Sequence, residues 1–278
     1  EFEGLSTNSY KDLKKNELPE KWLKKIEIYC NKKKIELIFS IFGDKSLKLL
    51  EKIKSVSILK IASSECTNLK LLSSVAKKKF KKIIISTGMS MDSDIIKAKE
   101  TVELFGGKKI IVMHCISDYP TSIEDMNLNY LKTLLSYKFN NIGLSDHSTS
   151  DIPSLVSIGL GAIYFEKHIT LDKKAYGPDN FYSYLPHEFK NYVKSINSAF
   201  ISLGKNKKII TESEKKYGRR KGVYAAINLS PGQKITRKHL TLKSPSLGVR
   251  DIFIETLIGK KVKKKVLKNK PIFTENIE

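Results

Sequence analysis

Between residues 36 and 204, short β-branched runs alternate with amphipathic stretches, and the alternation repeats six times before the texture of the chain changes. The predicted strands are 36–42, 57–63, 82–86, 109–114, 141–145 and 163–166. Nearly all of their residues are apolar, as parallel strands covered on both faces require. The intervening helices each carry one apolar stripe, expected to face the core. Leu128, Leu131, Leu134 and Leu135 form one, and Phe189, Tyr192, Val193, Ile196, Phe200 and Leu203 form the last, which stops at Gly204. Six β/α units build either a doubly wound open sheet or six-eighths of a closed eight-stranded barrel. A single helix over 19–32 and an irregular opening segment precede the first strand, so the chain enters in the middle of a β/α unit. On the barrel reading two units, roughly 60–80 residues at about 30 or more each, are expected to be absent upstream.

After this β/α region, taken as 1–204, comes a basic linker, 205–217. Residues 218–278 then read as a small, mostly β domain, from the run Val223-Tyr-Ala-Ala226, the turn Ser230-Pro231-Gly232 and the stretch 260–266. At ~60 residues it is near the lower limit for independent folding and is expected to lean on a partner.

The formal charge of +22 invites a nucleic-acid reading, but among the 51 basic residues only Arg219, Arg220, Arg237 and Arg250 are arginine. Planar, bidentate phosphate recognition prefers arginine, and lysine scattered through every segment reads as solvated surface. No nucleic-acid partner is therefore expected. Three cysteines, Cys30, Cys66 and Cys115, with no CxxC pair, speak against a zinc finger or a disulfide framework and fit a reducing cytoplasm. The opening residues lack a signal-peptide pattern, and the longest nearly apolar stretch, 155–165, is broken by Ser157, Gly159 and Gly161 and is shorter than the roughly 20 residues of a membrane helix. A soluble, cytoplasmic protein with no membrane association is expected.

In parallel β/α folds the active site forms at the carboxyl ends of the strands. Those ends are rich in functional groups: Lys60-Ile-Ala-Ser63-Ser-Glu65, Ser86-Thr87-Gly88-Met89, His114-Cys115-Ile-Ser117-Asp-Tyr119-Pro120, Ser145-Asp146-His147 and Glu166-Lys167-His168. One histidine at a strand end is usually structural; three of the chain's five at neighbouring strand ends point elsewhere. Two imidazoles from adjacent strands, with Glu65 and Asp179 nearby, resemble a site for a catalytic divalent metal with open positions. The serines and the Ser86-Thr87-Gly88 turn suit either an anion cradle or helix capping. Lys60, inside an apolar strand, needs a partner for its charge, and an anion is the favoured one.

These residues, in this order and spacing, resemble the sialic acid synthases. The resemblance rests on Lys60-Ile-Ala-Ser63-Ser-Glu65-Cys66-Thr-Asn68, Ile85-Ser-Thr-Gly-Met89, His114-Cys115, Tyr119-Pro120, Gly143-Leu-Ser-Asp-His147, Glu166-Lys-His168 and Gly177-Pro-Asp179. Glu17-Leu-Pro-Glu-Lys-Trp22 is similar to the family's second barrel helix, and 218–278 to its antifreeze-like (SAF) domain. The resemblance implies a (β/α)8 TIM-type barrel lacking its first two β/α units, followed by that small domain. It implies condensation of phosphoenolpyruvate with an N-acetylated hexose of the N-acetylmannosamine type, giving a nonulosonic (sialic) acid and phosphate. It further implies that His147 and His168 hold a divalent metal, manganese in the first place, with magnesium and cobalt as alternatives. By the same likeness Lys60, Ser63, Ser86, Ser117 and Ser145 hold phosphoenolpyruvate, Tyr119 and Asp179 contact the sugar, Glu65 positions water or moves a proton, and His114 is support. His187 and His239 lie outside every strand-end motif. A domain-swapped homodimer is implied as well.

The sequence also departs from the family pattern. The opening glutamate, Asn-His pair and lysine of the family have no counterpart in the 278 residues. Lys243-Ser244-Pro245-Ser246 stands where the family carries Arg-Pro-Gly, and Gly43 stands where many relatives have aspartate. Legionaminic or pseudaminic acid synthesis therefore stays open, as does an inactive remnant that only binds carbohydrate or an intact subunit.

Overall fold

The computed structural model describes residues 17–78, 80–106, 109–217 and 219–278; the irregular opening segment lies outside them. The chain divides into two compact units, Glu1–Gly204 and Lys205–Glu278. In the first, helix α1 (Glu20–Lys33) is followed by β1 (Ile38–Ile41), α2 (Asp44–Glu51), β2 (Ile58–Ile61), α3 (Leu69–Ala76), β3 (Lys82–Ser86), α4 (Asp92–Gly106), β4 (Lys109–His114), α5 (Tyr130–Ser136), β5 (Ile142–Asp146), α6 (Ile152–Gly159), β6 (Tyr164–Lys167) and α7 (Pro186–Leu203). Local chemistry sets several of these bounds. Asn68 caps α3 by accepting from Leu71 N at 3.1 Å, and Glu188 Oε2 accepts from Leu185 N at 2.8 Å where Pro186 opens α7. Gly204, at φ 61°, ends α7.

All six strands pair in parallel and in sequential order, β1 to β6. A doubly wound sheet reverses its strand order at a switch point, so this order is that of a barrel wall. Its curl follows from one contact. Lys60 on β2 forms an ion pair with Glu166 on β6. Four strand spacings separate those strands, about 19 Å in a flat sheet, beyond the joint reach of the two side chains. The sheet therefore bends round a concave inner face. Among the described residues β1 and β6 pair with no further strand.

Residues in register stand abreast and point to the same side, and successive residues alternate sides. Ser40, Lys60, Ile84 and Ile111 form one row across the inner face; Ser86, Met113, Gly143 and Tyr164 form the next, and Ser145 and Glu166 a third. The opposite parity faces the helices. Leu59, Ile61, Ile83 and Ile85 pack with Leu47, Leu50, Leu71, Leu72 and Val75, and Val112 and Ile142 pack with Leu131 and Leu134. Each such fully buried side chain contributes about 1.5–3 kcal/mol over its exposed state. Gly143 has no room for a side chain, since a Cβ would lie 2.5 Å from Met113 Sδ and 2.5 Å from the Tyr164 carbonyl.

The apolar stripes prove narrower than the sequence suggests. Leu131, Leu134, Tyr192 and Ile196 are buried, but Leu135, Val193 and Leu203 are exposed, because a helix on the outside of a wall covers only its inward arc.

The second unit departs further from expectation. The stretch read as a linker contains helix α8 (Glu212–Tyr217), opened by a reciprocal capping box: Glu214 N donates to Thr211 Oγ1 at 3.1 Å and Thr211 N to Glu214 Oε2 at 2.8 Å. Beyond it, regular strand is limited among the described residues to the antiparallel pair β7 (Gly222–Ala225) and β8 (Leu240–Lys243). Isolated bridges such as Leu229 with Val266 and Val262 with Ile277 complete the frame. Turns at Gly232 and Gly259, with φ of 81° and 86°, keep the pairings short. The core of this unit gathers Val223, Ala225, Leu229, Ile235, Val262 and Ile272.

Candidate active site

The carboxyl end of the inner face brings the strand-end motifs together. Ser145 and Glu166 are register partners, and His147 and His168 follow two residues on, again on the inner side. Their rings lie 5.3 Å apart, centroid to centroid, at 76°. His147 Nδ1 lies 2.8 Å from the Ile116 carbonyl, so it carries the proton and Nε2 keeps its lone pair. His168 Nδ1 lies 3.2 Å from Tyr182 Oη and 3.4 Å from Asp179 Oδ2, which leaves its Nε2 for a further contact. Burial pushes both imidazoles below their ordinary pKa; the Ile116 bond opposes this at His147 and Asp179 opposes it at His168. Both are thus neutral, the form that binds metal. Tyr119 covers one side, with its ring 4.2 Å from His147.

Glu166 Oε1 accepts from Lys60 Nζ and, at 2.8 Å, from Ser145 Oγ. Burial opposes ionisation of Glu166, but the Lys60 ammonium and the two hydrogen bonds outweigh it and hold the carboxyl below its usual pKa. Ser145 Oγ also lies 3.3 Å from His147 Nε2. A continuous polar chain therefore runs Lys60, Glu166, Ser145, His147.

Beside it lies a group of hydroxyls. Ser63 Oγ accepts from Gly88 N at 3.1 Å and touches Cys115 Sγ at 3.1 Å. A Cβ on Gly88 would sit 2.1 Å from Ser117 Oγ and 3.0 Å from Ser63 Oγ, so the missing side chain is what lets these loops converge. Ser86 Oγ is buried and has no hydrogen-bond partner. It caps no helix. A native protein seldom leaves a buried hydroxyl unsatisfied unless something else occupies the site, which favours the anion cradle over capping.

Two sequence expectations gain detail and one needs correction. Lys60 has a carboxylate partner within the protein, Glu166, where an outside anion had been expected to justify its charge. Glu65 does not join the histidines: its Oε2 accepts from Asn68 Nδ2 at 2.8 Å, because the short turn Ser63–Glu65 directs it back onto the cap of α3. Asp179 is close, but to the Nδ1 side of His168, where it orients the ring rather than sharing a ligand. No cluster of three or more His, Cys, Asp or Glu side chains suited to a metal occurs among the described residues. Two neutral imidazoles on adjacent strand ends would suit a divalent cation that takes its remaining ligands from water and substrate oxygens. His114 Nε2 bonds the Met126 carbonyl at 2.9 Å on the outer side, and His239 Nδ1 accepts from Thr236 N at 3.2 Å in a turn.

Sequence reasoning gave no role to Glu166 or Tyr182. Glu166 was within reach, since it shares strand parity with His168. Tyr182 was not, because only the folding of the loop after β6 brings it to His168.

The sequence as a whole matches the NeuB family over residues 3–208 and the SAF domain over 220–278. The chain belongs to the NeuB family. It is 32% identical to the N,N'-diacetyllegionaminic acid synthase of Legionella pneumophila, over 98% of this chain and 78% of that one. It is 28% identical to the pseudaminic acid synthase of Helicobacter pylori, over 98% and 80%. Among solved structures, the N-acetylneuraminic acid synthetase of Leptospira borgpetersenii in complex with citrate superposes with a TM-score of 0.71 at 31% identity, over 77% of this chain and 74% of that one. The chain is thus a NeuB-family synthase whose curled parallel wall is followed by a SAF domain. Among the described residues, no helix is long and apolar enough to cross a membrane.

Proposed function

We propose that this NeuB-family chain condenses phosphoenolpyruvate with an open-chain N-acylated amino sugar to give a nonulosonic acid and inorganic phosphate. The observation that carries the reading is the convergence on one concave face of the Lys60, Glu166, Ser145, His147 chain with the unsatisfied Ser86 hydroxyl. In the overall change, C3 of the enol bonds to the aldehyde carbon, the aldehyde oxygen gains a proton, water adds at C2, and phosphate leaves with its bridging oxygen.

Ser63 Oγ and Ser117 Oγ, with Gly88 leaving the space between them, and Ser86 Oγ on the same face would receive the phosphate or carboxylate of phosphoenolpyruvate. Lys60 Nζ, anchored on Glu166, keeps N–H bonds free for the same anion. Glu166 Oε1, in line with Ser145 Oγ, is the carboxylate best disposed to hold or move a proton at the new hydroxyl; Glu65, tied to Asn68, would act only from further out. Tyr119 shields the His147 side from water, and half-exposed Asp179 offers an acceptor to sugar hydroxyls. His147 and His168 would hold the divalent cation, manganese by resemblance to the family, and when bound it would polarise the aldehyde oxygen. The N,N'-diacetyllegionaminic acid synthase relative makes a diacetylated amino sugar a first candidate beside N-acetylmannosamine.

The test is phosphate release from phosphoenolpyruvate by the purified chain with manganese and each candidate sugar in turn. Release dependent on both metal and one sugar is expected, and His147→Ala should abolish it. Absence of release with every sugar would sink the reading in favour of a carbohydrate-binding remnant, and undiminished release by His147→Ala would remove the histidine from it.

A further inference from the structure

Immediately behind the two site histidines, on the helix-facing side of the same strands, lies a second ion pair. Asp146 and Lys167 are register partners on β5 and β6, each one residue before a histidine. Lys167 Nζ is 3.1 Å from Asp146 Oδ2, and the side chains are 2% and 0% exposed, lysine first. Every donor and acceptor of consequence is used. Asp146 Oδ1 accepts from Ser148 N at 2.9 Å, and Oδ2 accepts from Ser154 Oγ at 2.8 Å. Lys167 Nζ donates to the carbonyls of Ser148 at 2.6 Å and Ser150 at 3.2 Å, the two residues that carry the chain away from His147. Tyr192 on α7 donates to Ser154 Oγ at 2.9 Å and ties the arrangement to the outer helices.

A buried ion pair is a poor way to gain stability, because two packed apolar side chains of similar volume serve as well or better. What such a pair supplies is fixed geometry, since each partner is held from several directions at once. Here the fixed points are the backbones of residues 146, 148, 150 and 167, which bracket His147 and adjoin His168. We propose that Asp146 and Lys167 are positioning residues that set the spacing and orientation of the two imidazoles. The inference rests on the proposed function only where it concerns metal affinity. Its geometric content stands apart from that reading.

The experiment uses the full chain. Asp146→Asn combined with Lys167→Met removes both charges together, so that neither is left buried alone. Imidazole nitrogen resonances and manganese affinity are then compared with the original protein. The resonances of His147 and His168 should shift or broaden while those of His187 and His239 stay in place, and manganese affinity should fall about 10- to 100-fold, as for other groups that orient metal ligands. Lys167→Arg, which keeps the charge and the donors, should restore both. A folded double variant with unaltered His147 and His168 signals and unchanged manganese affinity overturns the proposal. If that variant does not fold, Ser154→Ala, which removes one bond to Asp146, is judged by the same signals. If the unmodified chain binds no manganese, the metal reading falls, and the resonances alone decide the role of the pair.

Discussion

The two faces of the sheet carry two lysine–carboxylate pairs of opposite character, one joining β2 to β6 and one joining β5 to β6. On the concave face Lys60 and Glu166 remain 18% and 31% exposed and lie beside a hydroxyl with no partner. On the helix face Asp146 and Lys167 are sealed off and saturated by serine hydroxyls, an amide and carbonyls. Register and parity alone decide which pair falls where. The inner face keeps unused hydrogen-bonding capacity and is fitted to receive something. The outer pair has none left and is fitted to hold its shape.

The sharpest way to break this division is to damage the outer face and look for an effect on the inner one. Leu144 is fully buried there, in register with His114 and Phe165. Leu144→Ala should lower the free energy of unfolding in urea by about 2–5 kcal/mol, the usual cost of a large-to-small change in a packed core. The KM for phosphoenolpyruvate of the molecules that stay folded should hardly change. A loss well under 1 kcal/mol would mean that the helix face is loosely packed.

A smaller effect distinguishes the faces by pH. Burial holds His114 neutral on the outer face, with its pKa below the ordinary imidazole value. The unfolded chain takes up a proton near pH 6.5 while the folded chain resists it, so this stabilising contribution is complete above about 6.5 and is lost as the pH falls toward the folded value. Glu27 does not interfere: its bonds from Lys24 and from Ser55 N lower its pKa to about 2, so it stays ionised throughout that window. Urea midpoints at pH 7.5 and 5.5 should therefore differ, and His114→Gln, which can still donate to the Met126 carbonyl, should narrow the difference. His147 and His168 titrate in the same sense and keep it from vanishing. An undiminished difference in His114→Gln would show that burial of His114 has no part in it.

The strands were legible because runs such as Lys82–Ser86 and Lys109–His114 are apolar between their polar ends, a property of the residues themselves. So was the side of the sheet that bears the chemistry, since polar residues crowd the strand ends. What escaped was pairing over distance. Lys60 and Glu166 are 106 residues apart, and only the curl of the sheet brings them together. The faces of Ser145-Asp146-His147 and Glu166-Lys167-His168 were in principle readable, because alternation sends the middle residue of each triplet away from its neighbours. Glu65 misled for the opposite reason: it sits in the right motif, but a local bond to Asn68 captures it. In the second unit, the Thr211 to Glu214 capping box was visible in the sequence but hidden among lysines.

The smallest expected effect is also the most discriminating, because it reverses sign between stability and binding. Ser86 Oγ is buried without a partner, and an unsatisfied hydroxyl costs about 1–3 kcal/mol. Ser86→Ala removes that cost along with a little packing, so the free chain should gain about 1 kcal/mol or less and melt slightly higher. Binding should move the other way. If the hydroxyl waits for a phosphate or carboxylate oxygen, the alanine variant loses one hydrogen bond to a charged group, and the KM for phosphoenolpyruvate should rise roughly tenfold or more with the bond worth about 1.5–3 kcal/mol. A core serine with no ligand would still give the raised melting point but not the raised KM. A variant that melts lower and binds phosphoenolpyruvate unchanged would move Ser86 from the receptive face to the supporting one and erase the contrast at the row where the two were thought to differ most.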